Sequence, residues 1–128
     1  MTAATLLAVA IGAVLGAYSR WGLGVWLNHL TPNVPLGTLT ANAIGGYVVG
    51  VAIAWFAQHP EASPAMRLFL ITGFLGALTT FSTFSAEAVN LLMRAEYSWA
   101  FVHIVLHLFV SLLLTVAGIT TVNLLTRV

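Results

Sequence analysis

Residues 66–93 form an apolar stretch long enough to cross a bilayer, but its middle is unlike a plain membrane helix. It reads Gly73-Phe-Leu-Gly-Ala-Leu-Thr-Thr-Phe-Ser-Thr-Phe-Ser85, with two glycines and five hydroxyl side chains near what should be the midpoint. In hydrocarbon an unpaired backbone N–H or C=O costs several kcal/mol. Irregular backbone therefore survives there only inside protein or beside a water-filled cavity. The stretch predicts a break between Gly76 and Thr80 that frees carbonyls on one side and N–H groups on the other, the device by which discontinuous membrane helices make ion sites. The functional centre is expected here.

The rest of the chain has the character of membrane protein. Of 128 residues, 60% are hydrophobic and 5% charged, with a mean hydropathy of +1.02. A soluble domain carries about a quarter of its residues as charges. At about 20 residues per crossing, a single domain over residues 1–128 accommodates four spans, near 5–27, 36–58, 66–93 and 99–125, with short loops. The expected class is an all-α integral membrane protein whose third helix is interrupted near its midpoint. The first nineteen residues hold no Lys or Arg, which predicts a retained first span rather than a cleaved signal peptide. The absence of cysteine removes disulfides, thiolate catalysis and Cys-type metal sites. A net charge of +1 does not suggest nucleic acid. GxGxxG, GxxxxGK[ST] and HExxH are all absent, and no nucleophile–base pair can be placed together from the sequence, so an enzyme is not expected.

Taken in order, the spans carry few polar groups. Gly12 and Gly16 give span one a face that another backbone can approach closely. Arg20 follows, with Trp21 and Trp26 at interface depth. Two readings stand for Arg20: a snorkelling side chain, or a fixed positive charge in an aqueous vestibule that attracts anions. Span two holds Thr38 and Asn42 on one face, and Gly46 and Gly50 at close-packing spacing. Asn42 is either interhelical glue or an uncharged pair of donors suited to an anion that must enter and also leave. In span three, Phe81 and Phe84 share one face of the resumed helix, interleaved with Ser82, Thr83 and Ser85. Ring edges carry positive potential, so an edge-on Phe can face an anion; ordinary packing is the alternative. Glu87 comes next, with Arg94 seven residues on. An intramembrane carboxylate is a candidate for function, either paired with Arg94 through water or acting as an interfacial acid. In span four, His103, His107, Ser111 and Thr115 recur every four residues as one polar stripe. The His pair has metal-ligand spacing, but no neighbouring carboxylate or Cys in the sequence completes a site. Metal binding by imidazole is therefore not expected, and the stripe is expected to line water or bond a neighbouring helix.

With GxxxRW (Gly16 to Trp21), NxxGG (Asn42 to Gly46) and GALTTFSTFS (Gly76 to Ser85) in view, the sequence resembles the small bacterial fluoride channels of the Fluc/CrcB type. The likeness covers the whole chain, and the third motif carries most of its specificity. The resemblance implies an antiparallel, dual-topology homodimer in the bacterial inner membrane with two separate fluoride pores. It implies passive fluoride export that lowers cytoplasmic fluoride. Phe81 and Phe84 would line the pore through their ring edges, Asn42 would donate to fluoride, and Ser82, Thr83, Ser111 and Thr115 would continue the path. Arg20, Thr38, Glu87 and His107 would serve as vestibule or relay. The carbonyls of Gly76 and Thr79 would hold a structural sodium ion at the dimer axis, two from each chain. Ala77 stands where many relatives carry Gly, and His107 where Tyr is common. The bilayer, fluoride and a second copy of the chain are the implied partners.

Neutral donors and ring edges suit a small, tightly hydrated anion, because a full positive charge in the pore would bind it too firmly to conduct. Two rivals are weighed. A small multidrug-type, proton-coupled exporter relies on a Glu in span one, and span one here has none. A non-conducting interaction subunit would use the GxxxG faces but leaves the break unexplained. Charge counting sets Arg67 and Arg127 on one side of the membrane against Arg20 and Arg94 toward the other. That tie predicts insertion in both orientations.

Overall fold

The computed structural model describes residues 2–126. Arg127, which enters the charge count above, lies outside the described residues. Helix α1 (Ala3–Leu27) begins at a reciprocal cap, the Thr2 and Thr5 side chains each bonding the other residue's backbone N–H. Helix α2 (Leu36–Gln58) receives its cap from the preceding turn, where Asn28 Oδ1 accepts from the Gly37 N–H at 2.7 Å. Both devices satisfy N–H groups that a helix start leaves without partners. The third span opens with Ser63 as cap and Pro64 in the first turn of α3 (Pro64–Arg67). It continues as a π-helical segment, Leu68–Leu75, and one short turn, α4 (Gly76–Leu78). Thr79 and Thr80 are extended, with ψ of 155° and 116°. Helix α5 (Phe81–Met93) resumes the span, and α6 (Tyr97–Leu125) completes the chain. Ala95, with φ at 58°, turns α5 back toward α6.

Among the described residues, four helical stretches are long and apolar enough to cross a membrane: Ala3–Leu27, Leu36–Gln58, Pro64–Met93 and Tyr97–Leu125. The fold is therefore all-helical, and its third span is interrupted where the glycines and hydroxyls cluster. The interruption is narrower than the sequence suggests, two extended residues rather than the whole of Gly76 to Thr80. The π-helical segment before it has no marker in the residue pattern.

Glycines set the packing. A Cβ added to Gly12 would lie 2.8 Å from the Phe74 nitrogen, and one added to Gly16 would strike the Phe74 carbonyl. Helix α1 thus rests backbone to backbone on the π-helical segment. On the opposite side, a Cβ on Gly46 would stand 2.9 Å from the Ser111 carbonyl, and one on Gly118 would stand 2.8 Å from the Val51 nitrogen. So α2 and α6 meet equally closely. Both small-residue faces are consumed within one chain, which removes the main support for the interaction-subunit reading. Ala41, Leu75 and Leu78 form the buried cluster under the break. Large apolar side chains cover the exterior, among them Phe101, Phe109 and Leu112.

Candidate functional site

The break is held by a side chain 38 residues earlier. Asn42 Oδ1 accepts from the Thr80 N–H at 2.8 Å, and its Nδ2 donates to the Thr80 carbonyl at 3.1 Å. One amide side chain thus replaces both helical bonds of a residue that has left the helix. Thr80 in turn caps α5, its Oγ1 accepting from the Thr83 N–H at 3.1 Å and donating to Thr83 Oγ1 at 2.9 Å. The Ala77 carbonyl accepts from Arg20 Nε at 3.0 Å. Arg20 is therefore tied to the break rather than stretched along α1 toward headgroups, contrary to the snorkelling reading.

These bonds leave two carbonyls without their usual donors. In an unbroken helix the Gly76 carbonyl would accept from Thr80 N–H and the Thr79 carbonyl from Thr83 N–H. Those donors are turned to Asn42 and to Thr80 Oγ1 respectively. Gly76 is exposed, and a Cβ there would meet only the Ile71 carbonyl, at 3.6 Å. Oxygen donors of this kind suit a hard cation such as sodium, and the open surface leaves room for a second set. The residues fit the ion, although one chain supplies only part of a coordination shell.

Phe81 and Phe84 do lie together, ring centroids 5.5 Å apart, but in different surroundings. Phe81 is 76% exposed, whereas Phe84 is 8% exposed and stacks on His103 at 5.3 Å. Phe84 also meets His107 at 4.9 Å. A cavity beside the rings is lined by Asn42, Thr79, Thr80, His107 and Ser111. Thr115 is not among its walls, and its hydroxyl donates to the Ser111 carbonyl of its own helix at 2.8 Å. The second Nδ2 hydrogen of Asn42 faces His107 Nδ1 at 3.2 Å, so within a single chain both amide donors are engaged. On the far side of the break a second cavity is lined by Arg20, Thr38, Thr80 and Thr83. Ser82 is exposed, and its hydroxyl lies 3.4 Å from that of Thr80.

Glu87 lines neither cavity but lies against residues that do. Thr38, on α2, donates to its Oε1 at 2.6 Å. Its Oε2 lies 3.5 Å from His103 Nε2, an approach that does not meet hydrogen-bond geometry. Arg94 is not its partner, because Arg94 Nε pairs with Glu96 at 3.0 Å. The sequence reading also found no carboxylate to complete a histidine cluster. The fold brings Glu87 in from α5, so that ligand atoms of Glu87, His103 and His107 all lie within 4.8 Å of one another. That ground for rejecting imidazole ligation is removed. His103 and Thr80 are the site residues that sequence reasoning left unassigned. The stripe spacing pointed to the first; the expected break reached the second, but nothing local pointed to its clasp by Asn42.

Residues 7–119 match the family described as CrcB-like protein, Camphor Resistance (CrcB). The chain belongs to the CrcB family. Relatives of this CrcB chain include a protein of Nitrosomonas europaea, 60% identical over 92% of this chain and 93% of its own length. Another, from Pseudomonas putida, is 57% identical over 91% of this chain and 92% of its own. A third, from Chromobacterium violaceum, is 56% identical over 91% and 93%. Each of the three is named a fluoride-specific ion channel. In CrcB terms, the clasp of Asn42 on Thr80 and the pair Phe81 and Phe84 are where this chain concentrates its polar and aromatic groups at membrane depth.

Proposed function

We propose that the chain is a fluoride-selective, non-enzymatic channel of the bacterial inner membrane, working as an antiparallel homodimer with two pores. The observation that carries this reading is the clasped break beside Phe81 and Phe84, in a chain 60% identical to a relative named a fluoride-specific ion channel. Fluoride enters the cavity between Phe84, His107 and Ser111, where it competes for the Asn42 Nδ2–H that otherwise faces His107. Ring edges of Phe81 and Phe84 line its way past the break. Ser82, Thr83 and Thr38 offer hydroxyls on the other side, beside Arg20. No formal charge stands in the narrow part, so each site binds weakly enough to release. Chloride is excluded by size. The potential supplies about 2.3 kcal/mol per charge per 100 mV to drive the anion outward.

The Gly76 and Thr79 carbonyls of two chains would hold a structural sodium ion at the dimer axis. Bound there, it supplies positive charge that joins the two breaks. Fluoride efflux from proteoliposomes containing the purified protein, with the potential set by valinomycin, tests the reading. Rapid fluoride loss with chloride retained is expected. Equal loss of both anions, or none of either, rejects it.

A further inference from the structure

We propose that Glu87, His103 and His107 form a binding site for a divalent transition metal of the Zn²⁺ class, and that its occupancy blocks anion passage. The block rests on the channel reading above; metal binding does not. Glu87 Oε2, His103 Nε2 and His107 Nε2 are all buried and without hydrogen-bond partners. Burial is complete for His103 and nearly so for His107, which is 4% exposed. Leaving three such polar atoms bare in a low-dielectric interior is costly. The three residues also converge, Glu87 Oε2 and His103 Nε2 already 3.5 Å apart, and one ligand atom from each of the three lies within 4.8 Å of the others. Ligands about 2.0–2.2 Å from a tetrahedral metal stand about 3.4 Å from one another, so a modest contraction of the cluster closes the site.

The chemistry of the donors selects the ion. Two imidazoles and one carboxylate suit Zn²⁺, Co²⁺ or Cu²⁺ over Mg²⁺ or Ca²⁺. Thr38, donating to the other carboxylate oxygen at 2.6 Å, orients Glu87 as an outer-shell partner does. The fourth position stays free for water or fluoride. Thr38 opens to the cavity beside Arg20, and His107 to the cavity beside Phe84, so the metal sits between the two.

Occupancy also acts on the break. With Asn42 Nδ2 donating to His107 Nδ1, the ring proton is on Nε2. Ligation through Nε2 needs an in-plane lone pair there, so the Nε2–H bond breaks, and the ring stays neutral by taking that proton up at Nδ1. There it confronts the Nδ2 donor, and Asn42 must turn, releasing Thr80. A metal with one carboxylate also leaves a net positive charge beside the path, which holds fluoride instead of passing it.

Chelator-stripped protein in detergent, titrated with Co²⁺, tests the site without reference to flux. We expect one Co²⁺ per chain with the intense visible bands of tetrahedral coordination, displaced by Zn²⁺. His103→Gln and His107→Gln are each expected to weaken binding by more than the about 10–100-fold lost with an outer-shell partner. Zn²⁺ should inhibit fluoride efflux reversibly with EDTA, measured relative to each variant's own metal-free flux, and the inhibition should fail in His103→Gln. Weak octahedral Co²⁺ bands in the wild-type protein overturn the proposal even if neither variant folds. So does tight binding that survives both substitutions, which would place the metal at His29 or His59. Metal binding without inhibition overturns the block alone, and absent fluoride flux in metal-free protein overturns the channel reading alone.

Discussion

Phe81 and Phe84 are neighbours with different work to do. Phe84 is packed against both imidazoles of α6, which also touch each other, whereas Phe81 projects from the chain. Replacing either with Ile keeps apolar bulk and removes the ring edge. Both Phe81→Ile and Phe84→Ile are expected to slow fluoride efflux severely. Stability should separate them: Phe84→Ile loses three ring contacts worth about 0.5–1.5 kcal/mol each, while Phe81→Ile loses only the one to Phe84 and should lower the melting temperature in detergent less. Wild-type flux in both variants would reduce the rings to packing. Helical spacing announces the pair, because residues three apart share a face. It does not reveal that one ring is buried against histidines, since that depends on where α6 crosses α5.

At the scale of elements, the break and its clasp form one unit. Asn42→Leu is close to isosteric but strips Thr80 of partners for both its N–H and its carbonyl. Each polar group left bare in the interior costs about 1–3 kcal/mol. The variant should unfold at lower temperature and carry no fluoride; an unshifted melt would mean the break is not held by Asn42. A second contrast lies within α1. Gly16→Ala drives a methyl into the Phe74 carbonyl, so α1 must lift off the π-helical segment. Gly22→Ala meets nothing within 4 Å, and Ala favours the helix over Gly by about 0.8–1.0 kcal/mol. Thermal unfolding of the single chain should therefore show loss for the first and none for the second; equal effects would contradict the packing. Gly16 and the run from Gly76 to Thr80 were legible in the sequence because close approach and backbone interruption need special residues. The pairing of Asn42 with Thr80, and of Glu87 with His103, was not. Each joins separate helices, and only the docking of whole helices sets that register. The same reason explains why Arg94, seven residues from Glu87, looked like a partner and turns out to bond Glu96.

At the scale of the molecule, the question is orientation in the bilayer. The alternation of four spans places Arg67, with the chain's two ends, on one side, and Arg94 on the other. Orientation follows the Lys/Arg bias of short loops near span ends. Two arginines face two, with Arg20 counted toward the Arg94 side and Arg127 toward the Arg67 side, and there is no Lys. The described arginines are also engaged locally: Arg20 on the Ala77 carbonyl, Arg94 on Glu96, and Arg67 over the Phe56 ring at 5.0 Å. Among the described residues neither side offers a dominant free charge, and the Lys/Arg count is tied, so both orientations should insert in about equal amounts. In the proposed assembly, two oppositely inserted copies would bring their exposed Gly76 turns together around a two-fold axis, a closed interface that uses one surface twice. Adding two Lys residues to the loop between α1 and α2 should force one orientation and abolish fluoride efflux. Co-expression with a copy biased the other way, by Lys added after Arg127, should restore it. A reporter fused after Val128 should appear on both faces of the membrane in the unmodified protein. A reporter confined to one face would leave the Gly76 turns no inverted partner and would end the antiparallel assembly.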